Sequence, residues 1–134
     1  MATEILVNDG GAPARILPFL ANGAMSGGEV AEFELSGTAN DVRQATADSV
    51  TTCGVLLTDA ADNTIASVIT GHGVLLNIYA TGAVAVGDLG IVDAAGVLDF
   101  TGTAATVAAA GTDVAIALET QASGLGLVKC MWLR

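Results

Sequence analysis

Apolar and polar residues alternate along most of this chain. From Glu29 the order Glu-Val-Ala-Glu-Phe-Glu-Leu sets Ala31, Phe33 and Leu35 against Val30, Glu32 and Glu34, a period of two that predicts a half-buried strand. Gly54-Val-Leu-Leu-Thr and Thr64-Ile-Ala-Ser-Val-Ile-Thr flank Asp59-Ala-Ala-Asp-Asn, whose Asp and Asn side chains can bond the local backbone. A hairpin is predicted there. Val74 to Tyr79 follows, with Val74, Leu76 and Ile78 on one face and a turn at Gly71 to Gly73 before it. Val86 to Leu98 reads as another hairpin, with turns near Gly87-Asp88 and Asp93 to Gly96. In Val114-Ala-Ile-Ala-Leu-Glu the large residues Val114, Ile116 and Leu118 are expected to face one way, and Leu125 to Leu133 closes the chain as a long strand. No segment carries a sustained helical period. Asp41 to Thr52 is the one stretch where a short helical turn is expected. The Asp-Ala-Ala tripeptide at Asp59 and again at Asp93 is read as shared turn chemistry, because three residues do not establish a duplication.

Residues 1–28 differ from the rest. They hold both prolines, Pro13 and Pro18, together with Gly10, Gly11, Gly23, Gly27 and Gly28. Proline removes a ladder donor and keeps the residue before it extended, so Glu4 to Val7 and Arg15 to Leu20 are expected as short extended pieces of an arm. The expected organisation is therefore an extended N-terminal arm over 1–28 and a body over 29–134. Short strands separated by turn signals make the fold class all-β, a small β-barrel or β-sandwich.

Composition narrows the possible partners. Hydrophobic residues make up 52% of the 134 and charged residues only 13%, so part of the surface is expected to be covered by something other than water. The aromatics are Phe19, Phe33, Tyr79, Phe100 and Trp132, which leaves the core to Val, Ile, Leu and Ala. Fourteen acidic residues against Arg15, Arg43, Lys129 and Arg134 give a net charge of -10. Four scattered cations make no basic stripe for nucleic acid and no attraction for an anionic membrane. Asn63 to Gly87 carries no Asp, Glu, Lys or Arg, yet Thr64, Ser67, Thr70, Gly71, His72, Gly73 and Asn77 interrupt it too often for a spanning helix. The N-terminal residues show no basic region followed by an apolar run, so synthesis and folding in cytoplasm are expected. Cys53 and Cys130 lack the spacing of a zinc site and are expected as buried free thiols.

Each catalytic template fails on a named residue. His72 is the single histidine and lies between two glycines, and no Gly-x-Ser-x-Gly elbow exists; Ser26 and Ser123 sit in small-residue turns. Asp99-Phe-Thr-Gly-Thr departs from the Asp-Thr-Gly loop of aspartic proteases at Phe100, with no second loop to complete a carboxylate pair. Asp59, Asp62 and Asn63, or Asp88 with Asp93, depart from calcium-loop spacing, and no phosphate-binding Gly-x-x-x-x-Gly-Lys occurs. The expectation is a binding protein, not an enzyme, with no metal and no cofactor.

Four segments in order, Gly27-Gly-Glu-Val, Gly54-Val-Leu-Leu-Thr-Asp-Ala-Ala, Ala85-Val-Gly-Asp with Val92-Asp-Ala-Ala-Gly-Val, and Val114-Ala-Ile-Ala-Leu-Glu, give the chain a resemblance to the head decoration, or capsid cement, proteins of tailed bacteriophages. The resemblance implies a compact β-barrel or sandwich on the outer capsid surface of the virion, at junctions between capsomers. It implies binding to the major capsid protein, self-association as a homotrimer, head stabilisation and no catalytic residues. Other phage structural β modules, such as a tail-tube, fibre or spike component, or an adhesin-type domain, are the alternative. In the cement reading the arm reaches onto the capsid or a neighbouring copy. The expected contact residues are Ile5, Leu6, Val7, Arg15, Ile16, Leu17 and Phe19, with Trp132 as a further anchor or a core residue.

Overall fold

The computed structural model describes residues 4–7, 11–36, 41–100 and 111–134. Among the described residues ten strands form two closed five-stranded barrels. The first holds β1 (Arg15–Ala21), β2 (Val30–Phe33), β3 (Asp41–Gln44), β4 (Thr52–Leu56) and β5 (Ile65–Thr70), in the order β1-β3-β2-β4-β5. The second holds β6 (Leu75–Thr81), β7 (Leu89–Val92), β8 (Leu98–Asp99), β9 (Ala115–Ala117) and β10 (Leu125–Trp132), in the order β6-β8-β7-β9-β10. The all-β expectation is met, with the barrel form realised twice. Among the described residues no helix is long and apolar enough to cross a membrane.

The barrels repeat one plan. In each, the first strand runs parallel to the third and antiparallel to the fifth, and the second pairs antiparallel with the third and fourth. The registers correspond too: Ala21 is opposite Val42 as Ala80 is opposite Leu98, Phe33 opposite Val42 as Val92 opposite Leu98, and Val30 opposite Val55 as Leu89 opposite Ile116. Through the first two strands of each barrel the counterpart lies 59 residues further on, as in Ala21-Asn-Gly-Ala and Ala80-Thr-Gly-Ala, or Gly28-Glu-Val and Gly87-Asp-Leu. Gly23 and Gly82 share a left-handed conformation, as do Gly28 and Gly87. The Glu29 carboxylate accepts the Ser26 N–H at 2.9 Å, and the Asp88 carboxylate accepts the Ala85 N–H at 2.9 Å. The Asp-Ala-Ala echo is unrelated to this duplication, since the counterpart of Asp93 is Glu34.

Two expectations are corrected here. Residues from Arg15 onward are not an arm: β1 is a wall of the first barrel, paired with β5 from Arg15 to Leu20, and Ala21 and Met25 are buried. The prolines misled because Pro18 sits where the strand has a free side, the one place in a sheet where a missing N–H costs no ladder bond. Asp41 to Thr52 is also no helical turn. Its first four residues are β3, whose single apolar residue, Val42, is fully buried, and β4 starts at Thr52.

The interior of the first barrel is made by Ala21, Ala31, Val42, Leu56, Ala66 and Val68. A larger core runs from Val30, Val55 and Ile69 on the outside of the first barrel into Leu76, Ile78, Leu98, Phe100 and Trp132 of the second. This explains why β2 is buried on both faces. Backbone bonds cross the same boundary, from Val30 N–H to Gly96 C=O at 2.8 Å, Gly96 N–H to Ala45 C=O at 2.9 Å and Asp48 N–H to Val92 C=O at 2.9 Å. Phe100 lies so close to Gly90 that a Cβ there would stand 2.8 Å from its ring. The rings also reverse the expected face of β9, where Ala115 and Ala117 point inward while Ile116 is partly exposed and Leu118 exposed. Only the small residues fit beside Phe100 and Trp132.

Candidate functional site

The eight residues expected to make contacts fall into three groups. Ile5, Leu6 and Val7 lie along the first half of β6. The Val7 N–H donates to Leu75 C=O at 3.0 Å, the Asn77 N–H to Ile5 C=O at 2.7 Å, and the Asn77 side-chain amide to Glu4 C=O at 2.7 Å. Leu6 stands opposite Leu76 in an antiparallel bridge, which puts both side chains on one face. The segment thus lies along the edge of β6 through an isolated β-bridge, with Ile5 buried and Leu6 packed on the core.

Arg15, Ile16, Leu17 and Phe19 belong to β1. Arg15, Leu17 and Phe19 share its inner face, and Phe19 meets Phe33 edge-on with ring centroids 5.6 Å apart. Leu17 and Phe33 are each 39% exposed, so one end of the first barrel is an open apolar mouth. Cys53 packs against the same interior and is partly buried. Ile16 lies on the opposite face of β1 and is exposed. Trp132 is fully buried in the second barrel and offers no surface, so it is a core residue rather than an anchor. Its indole N–H has no hydrogen-bond partner among the described residues.

Phe33 and Cys53 complete the mouth and were not expected there. The available signal was the alternation Ala31-Glu32-Phe33, which gives Phe33 and Ala31 one face, but only the pairing of Phe33 with Val42 shows that this face is the barrel interior.

Beside the mouth, β2 and β3 carry a charge cluster. Arg43 Nε donates to Glu32 Oε1 at 2.8 Å and its Nη1 to Glu34 Oε2 at 2.8 Å. Burial alone would push the Glu32 carboxyl up. Hydrogen bonds from Ser49, Arg43 and the Thr46 backbone, with the Arg43 charge, outweigh it and hold Glu32 below the ordinary range. Glu34 is held down chiefly by the Ser36 hydroxyl and N–H, with help from Arg43.

Two aspartates brace turns. Asp59 Oδ1 accepts the Gly27 N–H at 2.8 Å and Asp62 Oδ1 the Gly23 N–H at 2.8 Å, which ties the β1–β2 loop to the β4–β5 turn. An open cleft of ≈ 490 Å³ runs between the barrels, lined by Ile5, Gly27, Leu57, Thr58, Asp59, Tyr79 and Leu127. His72 Nδ1 bonds Leu133 C=O at 2.9 Å. What the described surface presents is an apolar mouth, suited to binding.

The chain is similar in structure to the crystallised N base of the head fiber protein gp8.5 of bacteriophage phi29. The TM-score is 0.70 at 14% identity, over 90% of this chain and 94% of that one. A match over nine-tenths of the chain takes in both barrels, so the likeness is one of the whole fold. No family model and no curated protein matches the sequence.

Proposed function

We propose that this chain is a structural protein of a phage head, which attaches to the outer capsid surface and acts by binding alone. The observation that carries the reading is the whole-fold similarity to the base of a phage head fiber, both barrels included. The sequence resemblance to capsid cement proteins supports the same placement independently. In the finer form of the proposal the partner is the major capsid protein, the site lies at capsomer junctions, and the chain assembles there as a homotrimer that stabilises the head. Acidity keeps the exposed remainder soluble, while many copies on one lattice multiply a modest contact.

The similarity to a fiber base favours a second reading, in which the chain is the foot of a head fibre rather than cement. Mixing purified protein with undecorated expanded heads, imaging the particles and measuring their resistance to heat distinguishes the two. Density at every equivalent junction with raised heat resistance supports cement. Density at a subset of sites without it supports a fibre base, and no binding to heads sinks both.

A further inference from the structure

Because the two barrels share one plan, each is a control for the other. In the second barrel Leu76 and Ile78 are 0% exposed and Val92 1%, and the chain's own Leu6 lies across from Leu76. Their counterparts in the first barrel are Leu17, Phe19 and Phe33, two of them 39% exposed. Among the described residues, nothing pairs with Ile16 to Pro18 on the side of β1 away from β5. The same architecture carries an extended apolar segment along this edge in one copy and, among the described residues, none in the other.

We propose that the open mouth of the first barrel is a docking site for an extended apolar segment of another protein, of the kind Ile5-Leu6-Val7 presents to β6, carrying a carboxylate. The second barrel supplies the shape of the occupant, and Arg15 supplies its charge. The counterpart of Arg15 is Val74, fully buried, so the open mouth has a cation on its rim where the second barrel is apolar. When the central apolar residue of an antiparallel segment faces Leu17, the residue two positions later faces Arg15. A carboxylate at that point completes an ion pair. Pro18 stands where Asn77 donates its N–H, so of the two ladder bonds seen on β6 only the one to the Ile16 carbonyl can form. Side chains entering the mouth must therefore supply most of the affinity. A second copy is a poor occupant, since each copy's own segment is engaged on β6.

The proposal rests on the assembly role above only in taking the natural segment to belong to a head protein. The probe is a capped synthetic peptide with the sequence Thr3 to Asp9 carrying Asn8→Asp, which puts a carboxylate two positions after Leu6, titrated into the isotope-labelled full chain and followed by amide and methyl chemical shifts. Expected are saturable shifts at Leu17, Phe19, Phe33 and Cys53, weakened at least tenfold by Leu17→Asp and severalfold by Arg15→Gln. Should Leu17→Asp fail to fold, Leu17→Ser is read instead. Shifts confined to Leu75 to Asn77, or no saturable shift, overturn the proposal. So does movement of the mouth resonances on simple dilution, which makes a second copy the occupant. Peptide binding without attachment to heads would remove the head as partner and leave the mouth standing; attachment without peptide binding would do the reverse.

Discussion

Pro18 and Asn77 occupy the same position in two copies of one strand. Pro18 stands opposite Ser67 and Asn77 opposite Lys129, in matching registers of β1 with β5 and of β6 with β10. Asn77 uses its backbone N–H and its side-chain amide to hold the segment at Glu4 and Ile5, and Pro18 has no N–H to offer. One edge holds its segment by two ladder bonds, and the other can offer only one.

Replacing that proline should therefore change association more than folding. Pro18→Asn restores the donor at an edge flanked by the exposed Ile16 and Leu17. The expected outcome is concentration-dependent self-association in sedimentation velocity where the parent chain shows less. Stability should fall by about 0.4–1 kcal/mol as the unfolded chain gains freedom. An unchanged sedimentation profile would mean that the edge is guarded by something other than the proline.

The Arg43 cluster sets an acid limit. Glu32 and Glu34 are both held below the ordinary carboxylate value in the folded chain, so on acidification the unfolded chain takes up their protons first. Their contribution is complete above the unfolded value, about 4.3, and is lost as pH falls through the lower folded values. Arg43→Met should lower stability at pH 7, because it leaves the Glu32 carboxylate without its charged partner. Urea melts should show the gap between variant and parent narrowing below pH 4, and a gap of constant size would count against this account.

Both thiols should be inert in the native state. Burial pushes Cys53 and Cys130 up to about 12, with Glu32 and Glu119 respectively adding to the rise, so neither is a thiolate near neutrality. Ellman's reagent at pH 8 should react slowly with the folded chain and rapidly in denaturant. Non-reducing electrophoresis of freshly purified protein should show no cross-linked species.

Trp132 reports on the second barrel. Trp132→Ala should destabilise by about 3–5 kcal/mol through the cavity it leaves. Trp132→Phe should cost less, because the smaller ring also removes an indole N–H that has no partner among the described residues. The native emission of this single tryptophan should lie to the blue and shift red on unfolding, and a red-shifted native spectrum would contradict its burial.

Gly96 joins the barrels. It has φ of +71°, and a Cβ there would stand 2.6 Å from Val30 C=O, which is backbone and cannot swing aside. Gly96→Ala should cost about 1–3 kcal/mol. Hydrogen exchange should show the loss at Val30 and Gly96 before the rest of either barrel.

How far the sequence could be read depended on where its alternation faced. β4 to β7 and β10 were legible because their apolar residues keep period two between turn-forming Gly, Asp and Asn. β1 was set apart because Pro18 and the neighbouring glycines look like punctuation until Ser67 is known to lie opposite. A deletion from Ala2 to Pro18, reasonable for an arm, would remove half of β1 and open the first barrel, and would also strip Ile5 and Leu6 from the core of the second. β3 carries one apolar residue in Asp-Val-Arg-Gln, too little for any pattern, and takes its place through Val42 and the Arg43–Glu32 bond. The duplication was hidden because its matching residues are mostly alanine and glycine, common in this chain, and only shared registers distinguish them from chance. The mouth was legible in half: β1 supplied Leu17 and Phe19, while Phe33 and Cys53 come from strands whose neighbours no local pattern reveals.

The crossing between Gly96, Val30 and Ala45 has a mechanical consequence. A joint of main-chain hydrogen bonds laid over a shared aliphatic core has no hinge, so the two barrels meet at an angle fixed on folding. Load applied at the first barrel reaches the second without slack, and the joint yields only by breaking several short bonds at once. In the assembly proposed above, such a joint makes the chain a rigid bracket.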